Sequence, residues 1–342
     1  MGCSAESGAG KADSPAVSAS ATPAGGVIPG VEVLLSDSLH LIRGKRVGLI
    51  TNHSGRDRAG TSTIDLLAKT PGVKLTALFG PEHGLRGAAK AGEVVASTVD
   101  SATGIPVYSL FGQTTVPNAR MLENVDVLVY DIQDVGARVY TYEWTMALTA
   151  DSANKPFIVL DRPNPVRGDI VEGGVLDPKF RSFVGQYPVA LRYGFTSGEL
   201  LRYLVGTGQV KAEVTVVPMK GWKRSMWWED TGLSWVNPSP NLSDMDATIL
   251  YTGTVFFEGT NATEGRGTAK PFRMIGAKWT TDVGEIVREL NGKGLAGVRF
   301  DSTRSAVRLA VEKEGGIEAL LPILAQEAAR FREQSSRYWI YQ

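Results

Sequence analysis

Residues 75 to 87 read LTALFGPEHGLRG, and the organisation of the chain follows from how this stretch divides. The apolar run from 75 to 79 is the right length for a buried strand, and it stops at Gly80-Pro81, which cannot continue one. Glu82, His83 and Arg86 come directly after. Ionisable side chains at the carboxyl end of a buried strand are what an α/β protein offers at an active site, where rigid strands present a variable loop. The competing reading is that Glu82 and His83 only solvate a turn and cap the next element.

Working outward, residues 46 to 51 (RVGLIT) form a second short apolar run, ending in the polar loop Asn52-His53-Ser54-Gly55. Between the two runs, residues 61 to 70 carry Ile64, Leu66 and Leu67 on a helical pattern, with Thr61 or Ser62 as N-cap and Pro71-Gly72 as the stop. Strand, helix and strand at these lengths make a βαβ unit of a parallel sheet, with a right-handed crossover expected. Residues 125 to 130 (VDVLVY) give the next strand, followed by Asp131, Gln133, Asp134, Gly136 and Arg138. A helix over 140 to 152 leads to a strand at 157 to 160, and that strand ends in Asp161, Arg162 and Asn164. Successive strands thus deliver polar clusters to one edge of the sheet, where open α/β sheets bind ligands.

Beyond Gly168 the pattern changes. Thr196-Ser197-Gly198-Glu199 reads as a capping box and residues 212 to 217 as a strand. Trp222, Trp227, Trp228 and Trp235 are interleaved with Lys220, Lys223 and Arg224. Aromatics at this density serve a core, although sugar rings also stack on such surfaces when they are partly exposed. A rigid turn at 237 to 241 and a loop rich in glycine and polar residues at 256 to 268 follow, then a helix at 282 to 290, a strand at 297 to 300 and a helix at 317 to 334. Residues 338 to 341 read as an apolar strand or docking segment.

Lys plus Arg and Asp plus Glu both total 36, so the net charge is zero. No global positive field exists to neutralise phosphates, which argues against a general nucleic-acid binder. Residues 1 to 29 are rich in Ala, Ser, Gly and Pro and read as a disordered linker, since they bury too little apolar area to offset ordering entropy. The single cysteine, Cys3, opens that segment and rules out an internal disulfide framework. Gly2-Cys3-Ser4 before a flexible tail resembles the mature start of a bacterial lipoprotein, with Cys3 as a lipidated membrane tether; the alternative is an accidental cysteine near the start methionine.

Familiar cofactor signatures fail. Gly292, Gly294 and Gly297 match the letters of a dinucleotide fingerprint, but they follow a helix and precede a strand, the reverse of the required context. There is no Walker A sequence, no G-x-S-x-G elbow and no H-E-x-x-H among the 3 histidines. No cofactor and no metal are therefore expected. Carboxylates at the loop edge suit acid and base chemistry on a polar, neutral bond. Glycoside hydrolysis needs that equipment: one carboxyl to protonate the leaving oxygen and another to activate water or attack carbon.

With these residues in view the chain resembles the NamZ-type exo-β-N-acetylmuramidases, formerly a domain family of unknown function. The matching blocks are FGPEHGLRG at 79 to 87, YDIQDVGARVYTY at 130 to 142, VLDRPNP at 159 to 165, VEGGVLDP at 171 to 178, MKGWKRSMW at 219 to 227 and FEGTNATEGRGT at 257 to 268. The resemblance implies a Rossmann-like, mostly parallel α/β domain without a dinucleotide, then a smaller α/β domain, with the site between them. The expected division is a linker at 1 to 29, a catalytic domain at 30 to 185 and an auxiliary domain at 186 to 342. Only residues 301 to 316 separate the last expected strand and helix, so the auxiliary domain reads as shortened relative to the family.

The implied activity is release of N-acetylmuramic acid from the non-reducing end of peptidoglycan fragments in the cell envelope, periplasmic or extracellular. The shortened end favours an alternative, an envelope lipoprotein that binds muropeptides without cleaving them. Glu82 falls on the family's PEHG glutamate and is expected as the catalytic acid, with Asp134, Glu172 and Glu264 competing as second carboxyl. His83, Asp131, Gln133, Asp134, Arg138, Tyr140 and Tyr142 are expected to line the pocket. Arg86, Arg138, Arg162 and Arg266 are candidates for the substrate's lactyl carboxylate, Arg138 or Arg162 first, because a guanidinium binds a carboxylate bidentately. Asn52, Asp161, Asn164 and Asn261 complete the expected substrate-binding set.

Overall fold

A computed structural model describes residues 26–86, 92–93, 96–280, 282–294, 300–302 and 316–342, the last without the side chains of 316–323. In chain order the elements are α1 (Gly30–Asp37), β1 (Arg46–Thr51), α2 (Thr63–Lys69), β2 (Lys74–Gly80), β3 (Thr98–Val99), β4 (Pro106–Ser109), β5 (Val127–Asp131), α3 (Tyr142–Ser152), β6 (Phe157–Leu160), α4 (Ser197–Gly206), β7 (Val214–Val217), α5 (Met245–Thr254), α6 (Val283–Gly292) and α7 (Gly316–Ser335).

The strands form one sheet in the order β3-β4-β2-β1-β5-β6-β7. All neighbours pair in parallel except β3 with β4. The order reverses between β1 and β5, which opens a crevice beyond their carboxyl ends. β7 lies past residue 185, so the sheet takes a strand from the segment expected as auxiliary domain. The strand expected at 297 to 300 and the expected shortening at 301 to 316 fall largely outside the described residues.

Burial explains the continuous apolar runs. Along β5, Val127 and Val129 pack on one face with α1 and α2 residues Val31, Leu34, Ile64 and Leu67. Leu128 and Tyr130 pack on the other with Trp144 and Met146 of α3 and Leu200, Leu201 and Leu204 of α4. A strand covered on both faces has no polar side, so it loses the alternation of a half-exposed strand. Helix starts follow their expected chemistry: Ser62 accepts from the Asp65 amide at α2, and Thr196 with Glu199 closes a capping box at α4.

The chain's last residues dock rather than pair. Ile340 N donates to Glu199 Oε1 at 2.7 Å, and the Tyr341 hydroxyl donates to Asp161 Oδ2 at 2.7 Å. Arg224, beside them, donates to both Glu199 oxygens at 2.7 and 2.8 Å and lies 3.9 Å from the centre of the Trp339 ring. Trp222 and Trp228 are buried. Trp227 lies under the guanidiniums of Arg167 and Arg192, and Trp235, half-buried, meets Trp228 edge-on at 5.0 Å.

Candidate active site

β2 ends at Gly80-Pro81, and the next residues make a tight turn in which Gly84 N donates to Pro81 O at 2.9 Å. His83, third in that turn, has φ 69°. Turns normally reserve that position for Gly or Asn, and a bulky residue there costs on the order of 1 kcal/mol. The strained turn holds Glu82 out at its second position, at the mouth of a cavity of about 350 Å³. His83 itself is 6 % exposed and lines the same cavity.

Two donors fix the Glu82 carboxyl. Thr141 Oγ1 donates to Oε2 at 2.8 Å and Gly92 N donates to Oε1 at 3.0 Å. Each oxygen thus accepts one hydrogen bond and keeps lone-pair capacity for a substrate. Further lining comes from residues far along the chain: Tyr251, Phe256, Glu258, Arg266 and Phe272. Arg266 pairs with Glu258 and, at 2.9 Å, with Glu264, and its guanidinium lies 4.9 Å from the centre of the Phe272 ring. Tyr140 closes the floor, edge-on to Tyr142 at 4.8 Å and to Tyr251 at 5.9 Å. A carboxyl, a guanidinium bracketed by two further carboxylates and several aromatic rings around one cavity can hold a pyranose and exchange protons with it.

Comparison with known proteins follows the same division. A family model described as "Exo-beta-N-acetylmuramidase NamZ, N-terminal" matches residues 47–246, and its C-terminal companion matches residues 249–306. The chain belongs to the NamZ family. The peptidoglycan beta-N-acetylmuramidase NamZ of Bacillus subtilis is 49% identical over 274 residues, 79% of this chain and 66% of that protein, so the chain spans just under two thirds of this relative's length. Two crystal structures of DUF1343 family proteins from Bacteroides fragilis share the fold. One is 34% identical with a TM-score of 0.81, covering 94% of this chain and 100% of its own; the other is 28% identical with a TM-score of 0.71, covering 92% and 99%.

Of the residues named from sequence, this NamZ-family chain gathers Glu82, His83, Tyr140 and Arg266 at the cavity. Glu264 stands one contact behind, through Arg266. The other two carboxyl candidates are elsewhere. Glu172 is exposed and paired with Arg192 at 2.7 Å. Asp134 is buried and accepts from the Tyr193 hydroxyl and, at 2.7 Å, from Gly136 N. Burial pushes its carboxyl up to about 7, against the pull of those donors. Its neighbour Gly136 has φ 78°, and a Cβ there would meet Asn164 Oδ1 at 2.5 Å, so only glycine fits this loop.

The guanidiniums expected first for the lactyl carboxylate have other partners. Arg138 Nη1 donates to the carbonyls of Gly174 and Val189 at 2.7 and 2.6 Å, and burial lowers its proton affinity. Arg162 pairs with the fully buried Asp131 at 2.5 Å, and Asp131 also accepts from Thr63. Breaking such a buried pair costs about 3–5 kcal/mol, which marks both as framework. Arg86 reaches away from the cavity to Asp100 at 2.6 Å. Asn164 donates to Phe195 O at 2.7 Å, Asn52 Oδ1 accepts from Ser54, and Gln133 donates to the carbonyls of Asp134 and Pro163. Tyr142 is buried and donates to Pro238 O at 2.5 Å. Asp161 accepts from Tyr341, Thr196 and Gly198 N, and burial pushes it up to about 6. Asn261 is exposed and lies outside the cavity wall.

The cavity also contains residues that the sequence reading did not single out: Thr141, Ser239, Tyr251, Glu258 and Phe272. Thr141 and Glu258 lie inside the quoted blocks at 130 to 142 and 257 to 268. The signal for them was therefore present as position within a block, without a residue type that demanded catalysis.

Proposed function

We propose that the protein is an exo-acting glycoside hydrolase that releases N-acetylmuramic acid from the non-reducing end of peptidoglycan fragments. The observation that carries the reading is Glu82, the glutamate of the family's PEHG block, fixed by Thr141 and Gly92 at the mouth of a cavity that also holds Arg266 and Glu258. In this reading Glu82 gives a proton to the glycosidic oxygen as the bond breaks. Glu258, the other carboxylate in the cavity wall, activates water or attacks the anomeric carbon. Arg266 receives the lactyl carboxylate, and the tyrosines and Phe272 pack the sugar faces.

The decisive measurement is release of chromophore from an N-acetylmuramic acid glycoside by wild type and Glu82→Gln. Turnover by wild type with a loss of at least about a hundredfold in the variant is expected. Binding of the sugar by wild type without release would replace the hydrolase with a muropeptide-binding protein.

An envelope location with Cys3 as lipid tether belongs to the same proposal, supported by the composition of residues 1 to 29 and by the substrate class. Labelling with a fatty-acid analogue in a bacterial host should mark wild type and not Cys3→Ser. An unlabelled wild type would remove the tether.

A further inference from the structure

The cavity at Glu82 does not end at its own rim. Ser239 belongs to its wall and also to the wall of a shallow trough lined by His53, Trp235 and Arg56. That trough in turn shares Arg56, Gly60 and Val236 with a small pocket of about 130 Å³ that reaches Arg162 and Gln133. The small pocket lies beyond the ends of β1, β5 and β6, at the crevice where the sheet order reverses. Three depressions therefore adjoin along the sheet edge between Glu82 and the switch point, with Ser239 between the first and second. His53 Nε2 donates to Asn237 O at 2.6 Å and ties the loop after β1 to the segment carrying Trp235.

Two features of these depressions point to a ligand. Trp235 is only half-buried and lines the trough, while its neighbour Trp228 is buried against it. A partly exposed indole on a groove wall offers a flat face for a sugar ring. Arg56 donates to the carbonyls of His53 and Gly60 at 2.7 and 2.8 Å and has no carboxylate partner among the described residues. The other cations of the pocket are paired, Arg58 with Glu32 and Arg162 with Asp131. Asp57 is in the wall too, its carboxylate accepting from Thr61 N at 2.7 Å.

We infer that these depressions form one groove, a leaving-group subsite that holds the sugars following the one to be released, with Trp235 stacking on a ring and Arg56 receiving a carboxylate. The inference rests on the hydrolase reading above. Peptidoglycan glycans alternate N-acetylglucosamine with N-acetylmuramic acid, so a carboxylate recurs on every second sugar, either as the free lactyl group or on a stem peptide attached to it. An exo-acting enzyme with such a subsite prefers longer fragments to short glycosides, because remote binding energy lowers the barrier only for substrates that reach it.

The test compares a chromogenic N-acetylmuramic acid glycoside with a tetrasaccharide of alternating sugars ending in N-acetylmuramic acid, with and without stem peptides. For Trp235→Ala and Arg56→Ala, the ratio of kcat/KM on the tetrasaccharide to that on the glycoside should fall about tenfold through KM, the size of one lost stacking contact or charged hydrogen bond. The tetrasaccharide on which Arg56→Ala bears identifies the carboxylate as lactyl or peptidic. An unchanged ratio in both variants overturns the subsite. If Trp235→Ala does not fold, Arg56→Ala carries the same comparison alone. If wild type cleaves neither substrate, the hydrolase reading has failed, and the groove is then tested by calorimetry of the tetrasaccharide. Affinity about tenfold weaker in Arg56→Ala keeps the groove as a binding site, and equal affinity overturns it.

Discussion

Thr141 Oγ1 donates its hydrogen bond to Glu82 Oε2 at 2.8 Å although Thr141 stands at the N-cap of α3, where a hydroxyl ordinarily serves its own helix. No side-chain cap bond is made there. A helix start has thus given up its capping group to aim a carboxyl. An ordinary hydrogen bond is worth about 0.5–1.5 kcal/mol, so Thr141→Val is expected to lower kcat by roughly two- to tenfold. KM should change little, and Thr141→Ser should restore most of the rate. Steady-state kinetics on a chromogenic glycoside decide it; a Val variant as fast as wild type would separate Thr141 from the chemistry.

Glu258 and Arg266 line the same cavity as Glu82. Glu258→Gln should cost about a hundredfold or more in kcat, as loss of a general base or nucleophile does. Arg266→Lys, by contrast, should raise KM for muramic glycosides more than for glucosamine glycosides, because a lysine cannot make the bidentate contact. Equal losses on both sugars would remove Arg266 from lactyl recognition.

Asp134 binds a proton more tightly in the folded chain than in the unfolded one, its carboxyl being pushed up to about 7 from an ordinary 3.8 by burial. Between those values the folded state holds more protons, so this group's contribution to stability is fully present below about pH 4 and is lost as pH rises towards 7 and beyond. Asp134→Asn removes that dependence. The difference in Tm, variant minus wild type, should therefore grow more positive from pH 5 to pH 8, and a difference that is flat or falls with pH would contradict the assignment.

Tyr341 joins two partners that lie far back in the sequence, donating to Asp161 Oδ2 at 2.7 Å and accepting from Met219 N at 2.8 Å. Tyr341→Phe leaves both buried groups short of a partner and should destabilise by about 1–3 kcal/mol in denaturant melts. Turnover at a temperature where the variant is folded should match wild type, since Tyr341 lies outside the Glu82 cavity.

The sheet was legible because buried parallel strands are uninterrupted apolar runs: the strands expected at 46 to 51 and 157 to 160 coincide with β1 and β6. The edge strand β3 and its neighbour β4 are short and not fully buried, and β4 opens on Pro106, so they carried no such signal. For the site, residue type at a strand end pointed to Glu82 and His83, and both line the cavity, where a fixed turn leaves them few places to go. It could not foresee the partners of Arg138 and Arg162, because a guanidinium at the end of four rotatable bonds can turn back to a carbonyl or a buried aspartate as readily as it faces a cleft. Glu258 was hidden for a different reason: Glu82, which lines the same cavity, is more than a hundred residues away in the chain, and only folding brings the two together.

That arrangement links two equilibria. The cavity is lined by Glu82 and Thr141 and also by Tyr251, Arg266 and Phe272, so it exists only while the segment from α5 onward stays seated. Any saccharide that touches both sets of residues must then favour the seated form by its own binding free energy. Occupancy should be readable far from the sugar as slowed amide exchange along α5, and a lesion that loosens that segment should weaken affinity without touching a single contact to the ligand.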